Sequence, residues 1–455
     1  MITPTAFTEA IPDEFYQSLY QTSEHIFTGI KIDNRIVERV CQLLDERDPA
    51  HGLSVEGTAL LLHLVRSSPS PEAKAAVIEA ARKIRGNIFG QKVATMVPIE
   101  VTSYCASTCK FCGWRADNTD MVRLAITEVA IREQASILAN YGFSHFEIAG
   151  GDDLNFLRND LKNLIAALKE ETVKVNPDSR VSICLVPMHE QQYALLKEYG
   201  LDCVLTWQET YNEDLFNYHI PSGPKAWGID LDYRITKGGN GFLERLKSQE
   251  KAIRAGLQVG MGVMIGLADI AEADILSVII HGRQLLKHYY GQVQPLIIGM
   301  PTWNPITTKN TDNRIAHGFN FDAADNFEML SAIYLLAFPD QYAWVFSNCR
   351  VGLNVQLESI ETASCFTSTE VRIAPGGYLN IDDSNPDEKE RMFARSTVAQ
   401  KNLTKEQVLS GEQFTHYYHT HNDFVNQLVS RGLHVVSDQS LLMEMRGKIP
   451  SPVGG

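Results

Sequence analysis

From about residue 95 the chain alternates short apolar, β-branched runs with longer amphipathic stretches. "TMVPIEVT" (95–102) is the first run, followed by "HFEIAG" (145–150), "RVSICLV" (180–186), "LDCVLTW" (201–207), "LQVGMGVMIG" (257–266), "VQPLIIGM" (293–300) and "YAWVFS" (342–347). Near-continuous apolar runs predict strands covered on both faces, since a strand with one wet face alternates polar and apolar residues. Most are separated by a helical pattern. After Thr127, for example, Ile131, Ala135 and Leu138 fall on one face, and Gly142 ends the stretch. Seven such units imply an α/β fold with parallel strands inside and helices outside. A TIM-type (β/α) barrel, complete or partial, accommodates them better than a flat doubly wound sheet. In such a barrel the functional groups gather at the C-terminal ends of the strands.

The flanks read differently. Residues 1–94 form a helical extension, with Ser70 as cap and Pro71 at the first helical position of one clear segment. Residues 95–350 make up the expected barrel, and residues 351–455 a mixed C-terminal extension that closes it. The extension contains a polar loop, "SNPDEKER", and ends in "KIPSPVGG", a tail expected to fray.

Charge and composition narrow the partners. A net charge of −14 and a pI near 5.4 argue against nucleic acid, whose phosphates call for a basic field. The N-terminus, "MITPTAFTEAIPDEFYQ", lacks the basic-then-apolar order of a signal peptide. The most apolar region, Leu257 to Ile280, is broken by Asp269, Glu272 and Asp274, so no membrane span is expected. A cytoplasmic protein is the resulting expectation. In that compartment clustered cysteines point to metal or redox chemistry rather than to disulfides.

Three of the eight cysteines fall within "VTSYCASTCKFCGWRADN" (101–118), at Cys105, Cys109 and Cys112. This C-x3-C-x2-C loop directly follows the first strand. Three thiolates suit a [4Fe–4S] cluster with one iron left free of protein, whereas a structural zinc needs four ligands. The zinc alternative would draw its fourth ligand from Cys41, Cys184 or Cys203. His416, His419 and His421 in "HYYHTHND" match no ligand spacing, and an exposed or packing loop is expected there. "APGGY" (374–378) reads as a turn.

The cysteine spacing, its position and Phe111 before the third cysteine resemble the radical S-adenosylmethionine (SAM) superfamily. "VPIEVTSYCASTCKFCGWR", "WQETYNEDLFNYH", "GPKAWGIDLDYRI" and "AGLQVGMGVMIGLAD" narrow the resemblance to its aromatic amino acid lyases. These are the tyrosine lyases of thiamine biosynthesis and hydrogenase maturation and the 3-methyl-2-indolic acid synthase, the last being closest in "TSYC" and "DLDYRI". The resemblance implies that the free iron chelates SAM, and that electron transfer cleaves SAM to methionine and a 5′-deoxyadenosyl radical. That radical would take hydrogen from a free aromatic amino acid, and a bond at Cα would then break. A mutase or radical-addition enzyme on another small substrate is the alternative chemistry. A non-catalytic Fe–S electron carrier is the alternative of another class. An external donor, flavodoxin or ferredoxin, is implied, with Lys110 and Arg115 beside the loop as a docking surface.

The same resemblance distributes site roles. Gly150, Gly151 and Asp152 in "EIAGGDD" are expected at the methionyl amine of SAM, although a Gly-Gly turn is also a plain turn. Gln208 and Glu209 end a strand, where a carboxylate suits SAM and where Glu209 equally suits a helix cap. Arg234 is expected on the SAM carboxylate, against a solvated surface arginine. Gly262 either lets adenine lie on a strand or relieves barrel crowding. Where the lyases carry arginines, this chain has "MPTWNP", with Thr302, Trp303 and Asn304. Arg350 in "FSNCRVG" is therefore the expected partner of the substrate carboxylate, with a helix C-terminus or Glu358 as its alternative partner. Trp303 is the expected aromatic wall beside it.

Overall fold

Strand β1 (Lys92–Thr102) is buried along its whole length except for its half-buried first residue. It lies parallel to β2 (His145–Gly150), with Met96 opposite His145 and Ile99 opposite Ile148. The parallel order continues through β3 (Arg180–Cys184), β4 (Cys203–Glu209), β5 (Gln258–Val263) and β6 (Leu296–Gly299). β7 (Ala343–Ser347) and β8 (Phe366–Ser368) complete it, and β8 pairs back onto β1 at Ala94–Met96. Eight strands thus close into a complete TIM-type barrel. The computed structural model describes residues 9–66, 70–119, 121–304, 306, 323–379, 413–414 and 416–446. The polar loop "SNPDEKER" and the tail "KIPSPVGG" lie outside the described residues.

All seven strands expected from the apolar runs are present. The eighth lies past residue 350, inside the segment expected as an extension. At three residues, "FTS" is too short to carry a period. A ninth strand, β9 (His434–Val436), pairs with β1 at Lys92–Ala94, largely before β8 begins.

Helices cover the barrel as the amphipathic patterns required. Thr127 caps the helix Glu128–Asn140, its side chain accepting from Ala130 N at 3.3 Å, and Gly142 follows with φ +101°. Four helices precede the barrel: Asp13–Gly29, Ile36–Asp45, Val55–Arg66 and Pro71–Phe89. Ser70 caps the last of them, with Pro71 at its first position as expected. Glu250 ties the first to the barrel, accepting from Ile11 N at 2.7 Å, Tyr16 Oη at 2.8 Å and Tyr289 Oη at 2.5 Å. Among the described residues no helix is long and apolar enough to cross a membrane.

The N-terminal end of the barrel is plugged by a polar knot. Asp438, at the start of the helix Asp438–Arg446, meets His145 Nδ1 at 2.8 Å and Arg180 Nη1 at 3.0 Å. His145 also reaches Ser182 Oγ at 2.9 Å, and Arg180 donates to Gln258 Oε1 at 2.8 Å. All four side chains belong to buried residues that open β2, β3 and β5 or lie just inside them. This knot stabilises the fold at the end away from the cysteine loop.

Breaking a buried ion pair from one side costs about 3–5 kcal/mol, so Asp438→Ala should lower the unfolding free energy by that amount in a urea titration. Burial alone would raise the Asp438 pKa, but His145 and Arg180 hold it below the ordinary value. Its stabilisation is therefore present above the usual carboxylate range and lost as pH falls through the lowered value. Asp438→Asn should accordingly show a shallower loss of stability in acid than the unmodified protein.

Candidate active site

The loop after β1 is held by backbone contacts from three directions. Ala106 N donates to Asp152 O (3.1 Å), Thr108 N to Ser222 O (3.1 Å) and Gly113 N to Gln413 O (2.7 Å). Arg123 staples it from below, its guanidinium donating to the carbonyls of Ser103 (2.6 Å), Trp114 (2.8 Å), Arg115 (2.6 Å) and Asn118 (3.1 Å). Gly151 is required here. A Cβ on it would stand 2.2 Å from Tyr104 O and 2.9 Å from Cys105 Cβ, so any side chain would push the loop away.

Cys105, Cys109 and Cys112 share one recess. Burial is the main cause that pushes their thiols up, to about 12, 12 and 11, and each is raised further by another of the three. Such thiols ionise when a cation arrives to take them. Among the described residues no three His, Cys, Asp or Glu side chains stand close enough to hold a single ion. Neither Cys41, exposed on an outer helix, nor Cys203, buried in β4, is placed as a fourth zinc ligand. Cys184 lies nearer, at the end of β3 on the cavity wall, but joins no such group.

Beneath the loop, at the C-terminal ends of the strands, lies a cavity of about 180 Å³. Phe111, Cys112, Gly150 and Asp152 form its roof. Asp152 accepts from Ser107 Oγ at 2.5 Å, while its N–H donates to Cys105 Sγ at 3.4 Å. On one wall β4 has a register irregularity between Trp207 and Glu209, and Glu209 takes φ +72°. A non-glycine residue in that region is strained, and the bulge turns the carboxylate inward. Glu209 Oε1 receives both Lys225 Nζ at 3.1 Å and Arg245 Nη2 at 3.2 Å. Arg245 also donates through Nε to Trp207 O at 2.5 Å, while its Nη1 is buried without a partner among the described residues. Burial opposes the charge on Lys225, but Cys109 and Glu209 outweigh it and keep the amine protonated.

Arg350 stands on the opposite wall. Its Nη1 donates to Thr302 O at 3.1 Å, and its guanidinium lies 3.3 Å from the centroid of the Phe414 ring. Asn304 braces it, donating to Arg350 O at 3.1 Å. Burial lowers the Arg350 pKa from its ordinary value. Two carboxyls, Glu100 and Glu147, complete the lining, and burial is the main cause that raises both to about 8.

The structure thus gathers the three cysteines, Gly150, Asp152, Glu209 and Arg350, and sets four expected residues apart. Arg234 is a surface arginine, 70% exposed and paired with Asp232 at 3.1 Å. Arg245, eleven positions on, is the arginine that faces the cavity, because the helix Gly241–Leu246 turns it inward while the preceding loop leaves Arg234 in water. Gln208 points away from the cavity side shared by Trp207 and Glu209 and is buried behind it. Trp303 packs beside Gly266 rather than on the cavity, and Trp207 and Phe346, stacked at 6.1 Å, supply the aromatic surface instead. Gly262 answers crowding: a Cβ there would meet Gly299 O at 2.0 Å. Sequence reading missed Arg123, Lys225, Arg245, Glu100 and Glu147. The last two carried a usable signal, a lone acid inside an apolar strand buried on both faces. Of the two alternatives for the histidine loop, exposed or packing, the described histidines pack, with His419 on Phe424, His421 on Phe143, and His416 bonded to Val371 O at 3.1 Å.

The structure is thus a closed parallel barrel that hangs a three-thiol loop over a charged cavity. Residues 99–279 match the family model of the Radical SAM superfamily, and the chain carries a radical SAM domain. Its cofactors are a [4Fe–4S] cluster and SAM. The chain is 28% identical to the 2-iminoacetate synthase of Escherichia coli strain K12, over 47% of this chain and 51% of that one. It is 27% identical to the 3-methylornithine synthase of Methanosarcina barkeri, over 51% of this chain and 62% of that one. It spans about half the length of the first curated relatives it matches. Among solved structures, the FeFe-hydrogenase maturase HydG from Carboxydothermus hydrogenoformans superposes with a TM-score of 0.72 at 19% identity, covering 94% of this chain and 85% of that one. At that identity the likeness shows the fold alone.

Anaerobically reconstituted protein should bind about four irons per chain, as a [4Fe–4S] cluster requires, with charge-transfer absorption that the triple Cys→Ala variant lacks. Stoichiometric zinc with no iron uptake would contradict the cluster.

Proposed function

We propose that the cavity binds SAM on the side of Glu209 and a free amino acid on the side of Arg350, and that the enzyme fragments or rearranges a bond at the Cα of that amino acid. Cys105, Cys109 and Cys112 would hold the cluster, and bound there with SAM it supplies a 5′-deoxyadenosyl radical able to take a hydrogen atom from the substrate. Gly150 and Asp152 offer the methionyl amine of SAM a close backbone approach and a carboxylate. Arg245 Nη1, a buried donor with no partner among the described residues, suits the SAM carboxylate, and the Glu209 bulge fixes that arginine in place. The observation that carries the reading is Arg350, a half-buried guanidinium on the cavity wall. Held flat on Phe414, it presents a planar fork suited to a carboxylate. Trp207 and Phe346 form one apolar wall for an alkyl or aryl chain.

A bare electron carrier has no need of such a cavity. Lyase and mutase outcomes share the site, and product analysis separates them. The reductant would be a flavodoxin or ferredoxin docking near Lys110 and Arg115, both half-buried beside the loop.

Arg245→Ala should weaken SAM binding by about 1.5–3 kcal/mol, the scale of a hydrogen bond to a charged group. Arg234→Ala, altering only a solvated pair, should leave SAM affinity unchanged in the same titration. A loss in the Arg234 variant alone would return the SAM carboxylate to the surface loop.

With dithionite and SAM, a panel of free amino acids should include one that drives 5′-deoxyadenosine release. Arg350→Lys keeps the charge and loses the fork, so it should raise the apparent substrate constant roughly tenfold or more while SAM binds as before. Turnover of that amino acid by Arg350→Ala at the unmodified rate and constant would remove the amino-acid anchor.

A further inference from the structure

Two acids in the cavity have no role in the reading above. Glu100 on β1 and Glu147 on β2 are 5% and 8% exposed, and both line the cavity. Glu147 stands opposite Pro98 in the β1–β2 register and Glu100 opposite Ala149, so the two side chains enter from neighbouring strands two positions apart. Glu100 Oε2 is buried with no hydrogen-bond partner among the described residues. Burial raises both carboxyls to about 8, against the field of Arg350 on Glu100, so they stay largely protonated until a cation arrives to meet them.

The other charges are already matched. Glu209 has Lys225 and Arg245, and Asp152 accepts from Ser107. Arg350, the remaining cation of the lining, is assigned to the substrate carboxylate. An amino acid with a neutral side chain leaves this pair of carboxyls without a side-chain partner. A substrate with a second charged nitrogen gives them one.

We propose that Glu100 and Glu147 receive a positively charged side-chain nitrogen of the substrate, which is therefore a basic rather than an aromatic amino acid. This rests on the reading of the cavity as an amino-acid site. The stacked Trp207 and Phe346 rings would flank the alkyl stem that carries the nitrogen.

The test compares three probes by calorimetry on cluster-loaded, SAM-bound enzyme: L-lysine, its isostere L-norleucine without the side-chain amine, and pentylammonium without the carboxylate. L-lysine should bind at least about tenfold tighter than L-norleucine, the effect of a charged hydrogen bond. Glu100→Gln and Glu147→Gln should each remove most of that preference while binding SAM and L-norleucine as the unmodified protein does, which also shows that they fold. Equal affinities in the unmodified protein, or a lysine preference that survives both substitutions, overturns the inference and leaves the amino-acid reading standing. Pentylammonium binding that needs Glu100 and Glu147, with neither amino acid bound, supports the acidic receptor and overturns the amino-acid reading. Failure of all three probes to bind overturns the inference.

Discussion

Charge removed from water must be met by opposite charge close by, and the mouth of this barrel is organised by that demand. Cys112 of the three-thiol loop, four carboxyls and three cations line a space of about 180 Å³. Burial pushes the thiols to about 11–12 and two of the carboxyls to about 8. Lys225 links the halves, its ammonium bonded to Glu209 at 3.1 Å. A low-dielectric recess makes each of these interactions stronger than it would be in water and each vacancy more costly.

The backbone delivers those groups with little freedom. β1 pairs on both sides, so the strand carrying Glu100 and leading into the cysteine loop is anchored in the sheet. Its register slips between Glu100 and Thr102, just where the strand ends, and β4 slips likewise at Glu209. Bulges at these strand ends re-aim side chains that regular pleating would send elsewhere. At the opposite end, the Asp438–His145–Arg180 knot stabilises the barrel without touching the cavity. Stability and chemistry thus occupy different ends of one fold, the usual division in TIM-type barrels.

Matches to a 2-iminoacetate synthase and a 3-methylornithine synthase bracket the chemistry without choosing a substrate. The choice lies in the cavity lining. Thr302, Trp303 and Asn304 stand where the lyases were expected to show arginines, and here they brace Arg350 or pack behind the wall. The cavity is acidic at Glu100 and Glu147, a feature that favours a cationic substrate group.

The sequence by itself determined the barrel, seven of its eight strands, the helical N-terminal region and the cluster loop. Local pattern is enough for these, because apolar runs, cap residues and cysteine spacing act over a few positions. Glycines 150 and 151 and Glu209 were legible for the same reason, since each ends a strand that the pattern had located. Tertiary structure alone decided which arginine faces the cavity. Arg234 and Arg245 are separated by one loop, and only the packing of the helix Gly241–Leu246 against the barrel turns the second inward. The eighth strand was beyond reach because three residues hold no period, and its pairing with β1 joins positions some 270 apart in the chain. The meeting of Glu100 with Glu147 depends on the β1–β2 register and that of Asp438 with His145 on the docking of the C-terminal helix, contacts between charges whose environment no local stretch of sequence contains.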